Sequence, residues 1–193
     1  MASSDFMALA HSLDPPLWIV TASDGTNRGG LLATFVNQAS IVGALPRIVA
    51  GISKHHHTWQ LIEASGAFVV HLLTTSREHL DLVDRFGLES GRLLDKFSGL
   101  NFHDGSTGSP ILDDVAGWAE CKVEARLDTG DRTLYLSEVV DAKAPEGLEI
   151  LTVQRWVKVL PPKRLARLGE LFANDSTADA EAIRSWRKQR SEA

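Results

Sequence analysis

The segment that most restricts the fold runs from Trp118 to Ala142. From Trp118 to Leu127 the residues alternate. Ala119, Cys121, Val123, Ala125 and Leu127 fall on one face, and Glu120, Lys122, Glu124 and Arg126 on the other. A period of two marks a strand with one face in a core and one in water. Asp128-Thr129-Gly130-Asp131 has the composition of a tight turn, and Thr133 to Ala142 returns as a second strand. A long hairpin of this kind belongs to an antiparallel sheet; parallel strands are buried on both faces and read as continuous apolar runs. Cys121 sits among the inward residues, so it reads as a buried structural thiol and not a nucleophile.

The remaining segments supply more strands than helices. Ser4 to Leu13 has helical spacing and is stopped by Pro15-Pro16. Leu17 to Ala22 is an apolar strand, turned by Ser23 to Asn27. A second strand is expected from Gly30 to Val42 and a third from Arg47 to Ser53. Thr58 to Ala64 reads as a helix stopped by Gly66, and Ala67 to Leu73 as a strand. Ser76 is placed to cap a helix that Gly87 ends, and a short helical piece is expected from Arg92 to Phe97. The Gly/Ser/Asp-rich loop Ser98 to Ser109 leads to Pro110. Glu149 to Leu160 reads as the last strand. The charged tail from Lys163 is helix-prone, with Leu165, Leu168, Leu171 and Phe172 as its apolar stripe. Many strands without a βαβ rhythm predict a closed or nearly closed antiparallel barrel. No GxGxxG follows a strand, which argues against a Rossmann site.

Composition excludes several classes. With 193 residues and 44% apolar content the chain can bury a core. A net charge of -5 gives no general attraction to nucleic acid or anionic membrane. The single cysteine forms no internal disulfide, which fits a reducing, cytoplasmic setting. The N-terminal apolar run is cut by His11, Asp14, Pro15 and Pro16, unlike a signal peptide. No run approaches the ~20 apolar residues of a membrane span.

Chemistry concentrates where the third strand turns into helix. Ser53, Lys54, His55, His56, His57 and Thr58 put hydroxyls, a cation and imidazoles at a helix start. Free N–H groups and a partial positive charge there attract anions. The triple histidine also suggests a metal. On a strand His55 and His57 would share a face, but no carboxylate or thiol lies nearby before Glu63, so no metal is expected.

The order PPLWIVTASDG, GGLLATFVNQAS, SKHHHTWQLIEASGAFVVHLL, DKFSGLNF and GWAECKVEARLDTGDRTLYLSEVVDA resembles the flavin reductase-like proteins of the FMN-binding split-barrel superfamily. The resemblance covers residues 8 to 160. It implies a mainly β fold, a six-stranded antiparallel Greek-key split barrel with peripheral helices. The domain would span residues 1–160, followed by a charged helical tail, 161–193. It implies a homodimer that binds FMN and takes electrons from NADH or NADPH. The segment Leu32, Ala33, Thr34 and Phe35 would line the flavin ring and Asn37 the ring or ribityl chain. Ser53, Lys54, His57 and Thr58 would take the phosphate. Three places depart from the family pattern, the last being Val153-Gln154-Arg155-Trp156, which lacks the usual Arg-Gly step. Arg132 replaces the histidine of a Gly-Asp-His step associated with the nicotinamide, and so could meet a 2′-phosphate instead. His71 stands where asparagine is common. The first departure keeps open an FMN carrier or electron-transfer protein without nicotinamide chemistry. A pyridoxamine phosphate oxidase-like activity is a weaker alternative on the same barrel.

Overall fold

The computed structural model describes residues 2–89, 94–145 and 149–192. The beginning of the helical piece expected from Arg92 lies outside them. Nine strands and five helices follow in chain order among the described residues: α1 (Ala2–Ser12), β1 (Trp18–Ser23), β2 (Arg28–Ala33), β3 (Val36–Gln38), β4 (Arg47–Ser53), α2 (His57–Ser65), β5 (Ala67–Leu72), α3 (Arg77–Gly87), β6 (Phe102–Asp104), β7 (Pro110–Leu112), β8 (Gly117–Asp128), β9 (Arg132–Lys143), α4 (Val153–Val159) and α5 (Pro162–Ser191).

The main sheet has seven antiparallel strands, in the order β2-β1-β5-β8-β9-β4-β3, and not the six expected. The extra strand arises because the single strand anticipated from Gly30 to Val42 breaks at Thr34-Phe35. Its first half pairs with β1 and its second with β4. These halves are the two edges of the sheet, yet they are consecutive in the chain. Ala33 and Val36 are separated by three peptide steps, at most about 11 Å. The sheet therefore has to curl into a half-barrel that brings the end of β2 beside the start of β3.

Curling creates one core inside the sheet and a second outside it. Val20, Leu31, Ala33, Ala50, Ile52, Phe68, Cys121 and Tyr135 fill the first, with Leu61 and Ile62 of α2 packed among them. Leu17 and Ile19 face the second core, with Leu82, Val83 and Phe86 of α3 and with Phe97, Leu151 and Trp156. Both faces of β1 are thus buried, which explains why it reads as an unbroken apolar run. Cys121 is buried as expected, and burial pushes its thiol up to about 12. His71 is fully buried in β5. Its Nδ1 donates to the Ile19 carbonyl (3.1 Å), and its Nε2 accepts from the Leu112 amide (3.0 Å), tying β7 to the sheet.

Two further expectations are corrected. Glu149 to Leu160 is not a strand: only Ile150 and Thr152 form isolated bridges, and α4 follows. Thr152 Oγ1 caps that helix by accepting from the Arg155 amide (3.4 Å), and Trp156 turns into the second core. Val153, Trp156 and Leu160 recur at the spacing of helical turns against that core, so burial outweighs the β-propensity of the valines. Glu120 does not face water either. Bulges at Glu120/Cys121 and Val123/Ala125 disrupt the alternation of β8. Burial raises the Glu120 pKa, but bonds from the Thr107 amide and Ser106 hydroxyl outweigh it and hold the carboxyl below its usual range.

Helix α5 begins after Pro161 with Pro162 in its first turn, as helix starts favour. No residue of α5 is fully buried. It lies along the barrel through an Arg164–Asp84 ion pair, Leu168 against the second core, and Trp186 against the glycine of the β8–β9 turn. A Cβ added at Gly130 (φ 97°) would come 2.7 Å from Trp186 Cβ. Of the expected apolar stripe, Leu165 and Phe172 stay exposed. Among the described residues, no helix is long and apolar enough to cross a membrane.

Candidate functional site

Residues 48, 50 and 52 of β4 point into the barrel, so Val49, Gly51 and Ser53 share its outer face. Gly51 pairs with Leu134, and Ser53 with Arg132. The Gly51 amide donates to the Phe35 carbonyl (2.8 Å), which fixes the β2–β3 junction beside β4. A Cβ at Gly51 would meet Leu134 at 3.1 Å and Phe35 at 3.3 Å. Phe35 is 58% exposed, and the Arg132 guanidinium lies 4.7 Å from its ring centroid. An aromatic ring, a cation and a bare strand backbone therefore meet on one surface.

An anion already occupies the cationic end of that surface. The Asp179 carboxylate of α5 accepts from Ser53 Oγ (3.0 Å) and from Arg132 Nη2 (2.8 Å). Arg132 also pairs with Asp131, its neighbour in sequence. His55 Nδ1 lies 2.9 Å from Ser53 Oγ. Helix α2 starts beside this group. Its N-cap, His56, makes no side-chain cap bond, and its first turn holds no acidic residue. The helix thus brings no carboxylate of its own to its first amides, and the acidic groups at this corner come from α5.

The other sequence-derived candidates are spread more widely. Lys54 Nζ bonds to Asp128 (2.7 Å) across the turn of the hairpin; that bond, with one from the Gly130 amide, holds the Asp128 carboxyl low. Thr58 is buried, and with His57 it lies against Gly29 at the start of β2. His57 Nδ1 is 3.3 Å from Gln60 Oε1. Leu32 packs against the second core and Ala33 lies within the first, so both side chains are taken up by packing. Asn37 lines an open groove of about 420 Å³ with Trp18, Ile41 and Arg47. Trp18 Nε1 is buried there without a hydrogen-bond partner. From Val49, which pairs with Asn37, to Ser53 is four residues, about 13 Å along the strand.

The structure thus joins Ser53 to Arg132, which covers Phe35, and sets His57 and Thr58 against Gly29 of β2. Asp131 and Asp179 join the group unanticipated, and His55 of the expected corner adjoins Ser53, where His57 was expected among the phosphate contacts. Asp175 and Asp179 are spaced i,i+4 in the helix-prone tail, but that spacing alone does not single them out from its other carboxylates.

The sequence profile described as "Flavin reductase like domain" matches residues 10–181. The chain is 34% identical over 134 residues to the high molecular weight rubredoxin of Moorella thermoacetica, covering 68% of this chain and 57% of that protein. It is 31% identical over 137 residues to a ferric-chelate reductase (NAD(P)H) of Archaeoglobus fulgidus, covering 70% of this chain and 79% of that one. Among solved structures, a flavin reductase domain protein of Arthrobacter sp. FB24 superposes with a TM-score of 0.69 at 25% identity, covering 79% of this chain and 91% of its own. The chain accordingly spans just over half of one such relative and most of others. Matched over nearly its whole length, it belongs to the flavin reductase like domain family.

Proposed function

We propose that the protein is an FMN-binding flavoprotein that passes electrons from NADH or NADPH to free flavin or another acceptor. The observation that carries this reading is the Asp179 carboxylate held by Ser53 and Arg132. A donor set that binds a carboxylate suits a phosphate oxygen equally well, at roughly 1.5–3 kcal/mol per charge-assisted bond. Ser53, Arg132 and the first amides of α2 would hold the phosphate, with Lys54 adding charge nearby and His57 and Thr58 at the start of α2. The backbone of Leu32 to Phe35 would run along the isoalloxazine ring, with the Phe35 side chain and Asn37 beside it. The flavin, once bound, supplies the redox chemistry; the protein positions it and sets its electrostatic surroundings. Alternatively Arg132 meets a nicotinamide dinucleotide, its guanidinium suited to a 2′-phosphate, and Ser53 with the α2 amides holds the FMN phosphate without it. The same reading takes residues 1–160 as the flavin domain, with the helix beyond as its cover. A homodimer fits the exposed Ile41, Val42 and Leu45 beside the Asn37 groove.

Purified protein titrated with FMN should quench the flavin's fluorescence at one equivalent per chain. Anaerobic stopped-flow mixing with NADH and NADPH should then bleach the bound flavin with at least one of them. Refusal of FMN would overturn the binding site, and binding without bleaching would overturn the nicotinamide step alone. The second reading, an electron carrier, draws on Arg132: it is engaged by Asp131 and Asp179 and covers Phe35. It predicts slow reduction by NAD(P)H and fast exchange with a flavodoxin-like or ferredoxin-like donor.

Asp179 would compete with the phosphate for the same donors. Two unit charges 4 Å apart interact by about 4 kcal/mol at an effective dielectric of 20, and partial exposure lowers that. Asp179→Ala should therefore tighten FMN roughly tenfold, about 1.4 kcal/mol. Weaker FMN binding in the same titration would show that Asp179 orients Arg132 instead of opposing the ligand.

A further inference from the structure

The flavin reading engages His55 only through Nδ1 beside Ser53, and gives no role to His55 Nε2, His56 or Asp175. We propose that His55, His56 and Asp175 form a binding site for one divalent transition-metal ion of the zinc class, which fastens helix α5 to the β4–α2 corner. Each residue offers one ligand atom, and the three atoms lie within 4.8 Å of one another. His55 Nε2 and Asp175 Oδ1 are 3.3 Å apart. In a tetrahedral site with metal–ligand bonds of 2.0–2.1 Å, two ligand atoms sit roughly 3.4 Å apart. That pair needs almost no adjustment.

The backbone explains how adjacent histidines can converge. Along a strand their side chains would point to opposite faces. Here they fall in the turn between β4 and α2, and their ring centroids are 4.3 Å apart with a 50° tilt. The carboxylate comes from α5, far along the chain. The second nitrogen of His55 is also provided for: Nδ1 lies 2.9 Å from Ser53 Oγ and 3.5 Å from Asp179 Oδ1. A hydroxyl or carboxylate at Nδ1 fixes the tautomer whose Nε2 lone pair faces the metal. Asp175 and Asp179 stand one helical turn apart on α5, one as ligand and one behind the ligand.

The donor chemistry selects the ion. Two imidazoles and one carboxylate suit zinc, nickel or copper, whereas magnesium and calcium take oxygen ligands. Three protein ligands leave a tetrahedral ion one position for water. The proposal does not rest on the flavin reading: His56 and Asp175 play no part in that site, although His55 Nδ1 adjoins Ser53 and Asp179, which do.

The test uses full-length, tag-free protein, stripped with a chelator and titrated calorimetrically with zinc chloride. One equivalent should bind and raise the melting temperature. Asp175→Ala and His56→Ala should each weaken zinc at least tenfold, and Asp179→Asn about 10–100-fold. In zinc-free buffer Asp175→Ala should take up FMN like the parent protein, which separates this site from the flavin site. Absence of zinc uptake by the folded parent protein would overturn the proposal. So would undiminished uptake by folded Asp175→Ala, which would mean that the histidines bind zinc without α5.

Discussion

Replacing Phe86 with alanine should destabilise the protein by about 3–5 kcal/mol. Phe86 lies on α3 at 2% exposure and packs edge-on against Phe97, with ring centroids 5.5 Å apart at 83°. The ring also rests on bare backbone. A Cβ placed on Gly30 would fall 2.4 and 2.6 Å from two atoms of the Phe86 ring, so the ring rests on β2 where a side chain would otherwise stand. Lys96 closes the arrangement. Its Nζ donates to the carbonyls of Gly30 (3.2 Å) and Phe86 (2.8 Å), and burial pushes its amine down to about 8. Alanine at 86 would open a cavity between α3 and the strand that leads into the Thr34-Phe35 junction. Because the surrounding core is close-packed, it relaxes only in part. Urea unfolding followed by circular dichroism at pH 7 measures the loss, with Phe86→Leu expected to lose much less. A Phe86→Ala loss below 1 kcal/mol would contradict this packing.

Acidification should remove about 3 kcal/mol of stability through His71 alone. Burial is the main cause that lowers its pKa, from 6.5 to about 4; its bond to the Ile19 carbonyl opposes the shift only partly. Above pH 6.5 the ring is neutral in both folded and unfolded chains and contributes no slope. Between pH 6.5 and 4 the unfolded chain takes up a proton and the folded one does not. Stability therefore falls with pH across that window, by up to about 1.4 kcal/mol per unit, and levels off once the folded ring also protonates. His71→Phe would leave Ile19 and Leu112 with unpaired backbone groups and lower stability at every pH. The informative quantity is the slope of urea midpoint against pH, which should be shallower in the variant between 6.5 and 4. Parallel slopes would mean that His71 gains its proton without unfolding.

Local chemistry was readable in the sequence wherever it acts alone. β4 occupies Arg47–Ser53 as expected. Ser76 caps α3 by accepting from the His79 amide. Gly66 ends α2 in the left-handed region at φ 69°. The long hairpin was legible because alternation over many residues has one structural meaning. What stayed hidden depends on distant partners. Nothing in GGLLATFVNQ marks a break at Thr34-Phe35, since the run stays β-prone throughout and only curling of the sheet forces it. Val153 to Val159 has strand propensity, and burial of Trp156 makes it a helix. At the site, Ser53 was legible from its strand-to-helix corner, and Arg132 from its departure from the family pattern. The carboxylates of α5 were not. A charged helix carries many such groups, and only tertiary packing decides which two reach His55 and Ser53.

The two residues joining the edge strands also limit how the chain can vary in length. One residue added between Ala33 and Val36 would turn β3 over. Val36, now 4% exposed, would face solvent, and Asn37 would face the interior. The stretch from Ala39 to Pro46 carries no such penalty, since its tip is open and Ile41 stands 97% exposed. Insertions and deletions across the family should therefore collect in that stretch and spare the seam, so the seam works as a ruler for the whole barrel.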